Sequence, residues 1–326
     1  MTEPEFGLLV AGASAMLVGV VRLFAIAHGV IDHPTDRGSH DVPTPRGGGL
    51  GVITTILVAF SVLAGATSDI RLYICIAACV AVSLIGWLDD RHGLPISTRL
   101  GVHLLAGLSV GLLSLRGGSP VILVVATFVL WSCWTMSSIN FVNFMDGING
   151  FVALQIAIFA ISLAIFGWEQ PGSSWYATAV AAACIGFLPW NFPHARIFLG
   201  DAGSGSLGFL VPVVALVTMR EQSVTLIQSF LPLLPLFADA MVTIVRRWHR
   251  GETLTQAHRS HLYQRMANGG IGHTKVTLMF ASASGIGAVI AHNESVANSW
   301  QLSAMFVVLF LLAGTLLEWR LKRKLA

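Results

Sequence analysis

The sequence predicts an all-α polytopic membrane protein of about eleven transmembrane helices, with its N-terminus outside and its C-terminus in the cytoplasm. Three observations carry this. Apolar side chains make up 55% of the 326 residues and charged ones only 11%, against about a quarter in soluble domains, and the mean hydropathy is +0.75. The apolar residues fall into runs of roughly 17 to 22, enough to cross about 30 Å of hydrocarbon. Basic residues alternate with those runs in the manner of the positive-inside rule.

The expected spans cover residues 6–27, 49–66, 71–88, 100–115, 121–139, 150–167, 174–190, 204–219, 224–245, 276–292 and 300–318. The first follows Glu3 and Glu5 with no basic stretch before it, which argues for a span with an external N-terminus rather than a cleaved signal. With that start, the inner connections and the C-terminus hold 15 of the 19 Lys and Arg, from Arg37 to Lys324. The outer connections hold only Arg71, Arg116 and Arg220, and Arg22 lies inside the first span. The split fixes the orientation and an odd number of spans. No repeat or long polar stretch interrupts the series, so residues 1–326 read as a single membrane-embedded domain. The four cysteines sit in apolar runs without accompanying His or carboxylate clusters, which supports neither a disulfide framework nor zinc. A net charge of +3 is explained by topology and calls for no nucleic acid.

The chemistry-bearing residues gather in the inner connections. Asp89 and Asp90 end the third run, and two adjacent carboxylates cannot sit in hydrocarbon, so they face water. Such a pair serves as ligands for a hard cation or as a base whose pKa its neighbour raises. The turn Pro43 to Gly49 offers backbone N–H groups and Arg46 to a phosphate, and equally reads as a flexible entry to the second span. Asn140, Asn143 and Asp146 share one helical face, followed by Asn149 and Gly150; one helix cap does not account for all of them. Asp201 stands between Gly200 and Gly203 at the foot of the eighth span, as a metal-phosphate site or as that helix's N-cap. His258 and His261 are three apart, but a basic patch for an anion fits them better than zinc. Asp239, inside the ninth span and seven residues before Arg246, reads as structural or catalytic alike.

In order and spacing, Pro43 to Gly51, Asp89-Asp90, Asn140 to Gly150, Phe198 to Leu207 and His258 to Arg265 resemble the polyprenyl-phosphate N-acetylhexosamine-1-phosphate transferases. This is glycosyltransferase family 4, which includes the lipid I synthase and the enzymes that start enterobacterial common antigen and O-antigen. The resemblance covers nearly the whole chain. It implies transfer of an N-acetylhexosamine 1-phosphate from a UDP-sugar to undecaprenyl phosphate, with Mg2+ or Mn2+, on the cytoplasmic side of the bacterial inner membrane, releasing UMP. It also implies surrounding membrane lipids as partners and is compatible with a homodimer. By match to the family, Asp89, Asp90 and Asp201 would be catalytic. Asp201 would be the main Mg2+ ligand with Asp90 in support, and Asp89 would deprotonate or orient the lipid phosphate. Arg46, Asn143, Asp146 and Asn149 would bind the substrates, Phe198 would stack on uracil, and Arg259 and His261 would hold the donor's sugar or phosphates.

Two departures qualify this. Asn149 stands where the family has a second acid, so the amide could turn and accept cytosine donors more readily than relatives with Asp. The last loop lacks three successive histidines, which points away from the muramyl-pentapeptide donor and toward enzymes that start an O-antigen or capsule, in lipopolysaccharide and cell-wall biogenesis. The competing class is a multi-span secondary transporter, which would place its ionisable residues near the bilayer midplane; here only Asp239 lies well inside a span.

Overall fold

A computed structural model describes residues 1–34, 42–67, 69–115, 117–166, 173–221, 224–253, 256, 258–293 and 300–325. The basic residues Arg37 and Arg116 lie outside them, and so do the side chains of Lys322 and Lys324. Of the described residues, 82% are helical. Each expected apolar run lies on a helix: α1 Glu3–Ala27, α2 Gly49–Thr67, α3 Ile70–His92, α4 Ile96–Ser114, α5 Val121–Phe144, α6 Phe151–Phe166, α7 Ser173–Asn191 and α8 Asp201–Glu221. The ninth run is broken into α9 Leu226–Phe230 and α10 Leu234–His249 around the 3-10 turn Leu231–Leu233, where Pro232 and Pro235 interrupt the backbone ladder. After the short helix α11 Leu262–Met266 come α12 His273–His292 and α13 Trp300–Leu325. Among the described residues, nine helices are long and apolar enough to cross a membrane. The helices α6, at 16 residues, and α7 are not among them, so length and composition support nine of the eleven expected spans.

The helix α8 is the hub, with 94% of its apolar stretch buried, and it packs on α3, α5, α2 and α7. The helix α1 lies along α7 and is fastened to it by polar groups that hydrocarbon cannot satisfy. Ser14 Oγ donates to Ala183 O at 2.8 Å and Trp190 Nε1 donates to Ala15 O at 2.9 Å. Glycines set the closest approaches. A Cβ on Gly49 would stand 2.3 Å from Gly203 Cα, and one on Gly86 2.5 Å from Asp201 O, so α2, α3 and α8 converge at their site ends.

The one sheet among the described residues is a two-residue ribbon, β1 Ile31–Asp32 antiparallel to β2 Thr44–Pro45, with Ile31 opposite Pro45 and Asp32 opposite Thr44. Its second strand continues into a parallel bridge between Arg46 and Phe198. Phe198 N–H donates to Pro45 O, Gly48 N–H to Phe198 O and Gly49 N–H to Leu199 O, each at 2.8 Å. This ladder fixes the first loop against the foot of α8 and thereby builds the site.

Candidate active site

The ladder places Arg46 between two acids. Its Nη2 lies 2.6 Å from Asp90 Oδ1 and 2.9 Å from Asp201 Oδ1. The other oxygen of Asp90 accepts the backbone N–H of Asp201 at 3.0 Å, so the end of α3 caps the start of α8 with a carboxylate, where the helix dipole favours one. Gly200 precedes this junction at φ 76°, and a Cβ there would stand 2.7 Å from Asp90 Oδ2; only glycine fits. Gly200 O accepts from Ser204 N–H at 3.0 Å, so the cap position of α8 belongs to Gly200. That settles the alternative for Asp201: its side chain does not cap the helix but faces Arg46.

Asp89 also neighbours Asp201, and its carboxylate has further partners of its own. Its Oδ2 is 2.5 Å from Arg99 Nη1 and its Oδ1 accepts Leu94 N–H at 2.7 Å. Asn143 reaches the site by way of α8: its Oδ1 accepts from Ser204 Oγ at 2.7 Å, and it hydrogen-bonds Asp201. It supports Asp201 and is not among the residues that line the adjoining cavity.

That cavity, about 180 Å³, is lined by Arg46, Asp146, Asn149, Phe198 and Asp201. Burial and the charge of Asp201 push the Asp146 carboxyl up to about 7, against the pull of Arg46. Burial works against the Arg46 cation, but Asp90 and Asp201 more than offset it and raise its pKa. Phe198 is half-buried, with a ring able to serve as a stacking platform. Asn149 donates Nδ2–H to Pro193 O at 3.1 Å. Turning its amide to present a donor to cytosine would sacrifice that bond, so the expected tolerance of cytosine loses its basis.

Sequence reasoning missed four contributors. Asp32, Gln264 and His273 also line the cavity. Asn191 is buried, accepts Gly150 N–H at 2.6 Å and donates to Ile197 O at 2.9 Å, joining the third loop to the fourth. The only signal for Asn191 was a polar residue ending an apolar run.

Arg259 and His261 do not line this cavity, although His273 and Gln264 do. The His261 side chain is 2% exposed, with Nδ1 3.8 Å from Asp239 Oδ1. The cause is Asp239, whose carboxylate accepts Leu262 N–H at 2.8 Å and Tyr263 N–H at 2.9 Å and so draws the start of α11 into the core. Asp239 is thus the anchor of α11, and the opening between its two readings closes on the structural one. Burial, reinforced by His261 and Arg247, drives His258 down to about 4, so it adds no positive charge near neutral pH.

The donor set fits a hard divalent cation. Two carboxylates bracket a point already taken by a cationic nitrogen, and Mg2+ is commonly held by one or two carboxylates with substrate phosphates completing the shell. Among the described residues no group of three or more His, Cys, Asp or Glu is assembled to hold a metal, as zinc would need.

Comparison with known proteins places the sequence among similar ones. Residues 72–219, from α3 to α8, match the model of glycosyl transferase family 4. The decaprenyl-phosphate N-acetylglucosaminephosphotransferase of Mycobacterium tuberculosis is 27% identical, with 94% of this chain and 86% of that protein aligned. Its counterpart in Mycolicibacterium smegmatis is 29% identical over 84% of this chain and 77% of its own length. The undecaprenyl-phosphate alpha-N-acetylglucosaminyl 1-phosphate transferase of Yersinia pestis is 26% identical over 93% and 89%. The middle of the chain thus resembles glycosyl transferase family 4, and nearly all of it is similar in sequence to prenyl-phosphate N-acetylglucosamine-1-phosphate transferases.

Proposed function

We propose that the protein transfers N-acetylglucosamine 1-phosphate from a UDP-sugar to a polyprenyl phosphate, undecaprenyl phosphate in the first instance, and releases UMP. The observation that carries this is one cavity edged by Asp201, Arg46 and Asp146 and floored by Phe198, with Asp90 behind Arg46. The names of the relatives supply the sugar and the prenyl phosphate class.

An oxygen of the prenyl phosphate attacks the β-phosphorus of the donor. The bond from that phosphorus to the bridging oxygen breaks, and the oxygen leaves with UMP. Such transfer between two anions demands charge neutralisation and in-line placement more than a strong nucleophile. Arg46 neutralises donor phosphate, Phe198 and Asn149 hold the base, and Asp89, fixed by Arg99 and Leu94, receives or orients the acceptor phosphate. Asp201 and Asp90 would hold Mg2+, which when bound polarises phosphoryl oxygens and offsets developing charge. Asp146, whose carboxyl burial and Asp201 push up to about 7, lines the same cavity as Arg46 and Asp201.

The topology that goes with this reading has eleven spans, an external N-terminus and the cavity on the cytoplasmic side of the bacterial inner membrane. Cysteines placed at Gly93 and Asn268 should then label only from the cytoplasm, and one at Gly118 only from outside.

The decisive experiment incubates purified protein and Mg2+ with undecaprenyl phosphate and a panel of UDP-N-acetylhexosamines. UMP and prenyl-diphosphate sugar should appear in equal amounts. If no donor yields either product, while proteoliposomes accumulate a solute, the transporter reading replaces this one.

A further inference from the structure

One buried histidine stands outside every role assigned so far. His103 is 7% exposed and lies on α4 one turn after Arg99, the residue that grips Asp89. Residues four apart share a helix face, and helical side chains lean toward the N-terminus, so the His103 ring leans over the turn that carries Arg99. Across the interface with α5 its side-chain hydrogen-bonding neighbour is Asn140.

Two orphaned atoms make this arrangement informative. His103 Nδ1 is buried with no hydrogen-bond partner, and so is Arg99 Nε. Burying a polar group without a partner is costly, so two of them within one helical turn call for an explanation. They are complementary, because Arg99 Nε–H can only donate and an imidazole nitrogen can accept. The orientation of Asn140 fixes the rest. Its Nδ2 donates to Met136 O at 2.7 Å, which leaves Oδ1 to receive a proton donor from His103. Since Nδ1 is the partnerless nitrogen, Nε2 is the one that meets Asn140. Only a neutral imidazole supplies one donor and one acceptor, with the proton on Nε2.

We propose that His103 is a positioning residue for the acceptor side of the reaction, a neutral ring that donates Nε2–H to Asn140 and accepts at Nδ1 from Arg99 Nε–H, directly or through one water. The chain Asn140, His103, Arg99, Asp89 then fixes the guanidinium from behind. Arg99 Nη1 stays aligned on the Asp89 carboxylate while that carboxylate engages the prenyl phosphate. The role of Asp89 in this statement rests on the proposed transferase reading; the hydrogen-bond arrangement does not.

The test has two arms. His103→Gln keeps an acceptor oxygen and a donor nitrogen, whereas His103→Leu removes both. Turnover should stay within about threefold of wild type in His103→Gln. In His103→Leu it should fall roughly 10- to 100-fold, the cost of a small misplacement of a reacting group. KM for prenyl phosphate should rise in His103→Leu, with UMP affinity unchanged. Near-wild-type turnover in His103→Leu, or equal impairment in both variants, overturns the proposal. The second arm needs neither activity nor the leucine variant. The nitrogen-15 histidine spectrum of wild type minus that of His103→Gln should show a neutral ring protonated at Nε2. A ring protonated at Nδ1, or at both nitrogens, overturns the arrangement. A wild type inactive with every donor would remove the transferase reading and leave this spectral result standing.

Discussion

The helix α3 begins at an aspartate held by two arginines and ends at two aspartates held by one arginine each. At the start, Asp69 caps the helix by accepting Arg71 N–H at 3.0 Å and takes the Arg71 guanidinium on both oxygens at 2.9 Å. Arg220 lies 3.9 Å away, and both arginines donate to Leu115 O at 3.0 Å. About 30 Å along the same helix, Asp89 and Asp90 join Asp146 and Asp201 around Arg46 and Arg99. The residue types are the same, but the balance is reversed. One acid against two cations makes a clasp joining α3, α4 and α8. With Asp32 at the cavity as well, acids outnumber cations at this end, and that surplus of carboxyls suits a divalent ion with a phosphate donor. The carboxyls report the difference: the Arg71 hydrogen bond lowers the pKa of Asp69, while burial and Asp201 raise that of Asp146 to about 7.

The contrast fails most visibly if the acid-rich end proves structural. Asp201→Asn and Asp90→Asn should lower turnover by about 100- to 1000-fold, the range for losing a preorganised charged group, with the thermal midpoint unchanged or raised because repulsion is relieved. Loss of folding in Asp201→Asn, with normal turnover in whatever remains folded, would make this end a second clasp.

Next in size is the close packing that fixes the acids in place. Gly203→Ala puts a Cβ 2.7 Å from Gly49 Cα and from the Leu199 side chain. It should cost about 1 to 3 kcal/mol of stability, as overpacking does, visible as a lower thermal midpoint. An unchanged midpoint would mean that α2 and α8 can slide apart and that the site is less rigid than described.

Phe198→Ala sharpens the description of the cavity. UMP affinity should fall by roughly 1 to 3 kcal/mol, the loss of a base-stacking ring, when measured by calorimetry. Unchanged affinity would take the base away from Phe198. In the same assay, wild type should prefer UDP over CDP donors, because Asn149 is held by Pro193 O.

The smallest effect belongs to the clasp. Because the folded-state pKa of Asp69 is depressed, its contribution is present above an unfolded value of about 4 and is lost as pH falls through the lower folded value. Asp69→Asn should therefore cost at most about 1 kcal/mol at neutral pH, as solvent-screened pairs do, and converge with wild type once pH falls below the lowered folded-state pKa. A difference that persists undiminished as the carboxylate is protonated would mean that its charge is irrelevant there.

Most helices were legible, because long apolar runs between polar loops have few other solutions. The acids at helix ends were legible for the same reason, since burial in hydrocarbon forbids them elsewhere. Pairing was less so. The helix α6 is apolar on every side and carries no stripe to say that it lies between α7 and α12. The meeting of Arg46 with Asp201 depends on a backbone ladder from Pro45 to Leu199, and main-chain pairing of two loops leaves no side-chain pattern. The burial of His261 beside Asp239 was not legible, because the two are 22 residues apart in sequence and nothing local shows which acid will draw α11 inward. Asn140 was visible as part of a polar face, but His103 looked like an isolated polar residue in an apolar run until α5 was set against α4.

The anchoring of α11 by Asp239 has a consequence for anyone ranking residues by phenotype. That helix turns Leu262 and Arg265 toward α10 and α13, and Gln264 toward the site. A variant such as Asp239→Ala would strand two backbone donors and let Gln264 drift, so a colony screen for lost function would score it alongside Asp201. The two phenotypes have different genetics. A residue that only anchors a helix can be rescued by second-site changes that re-dock α11, whereas a residue that touches the reacting phosphate cannot be replaced from a distance. A suppressor selection started from each variant would therefore sort scaffold from chemistry without an assay of the reaction.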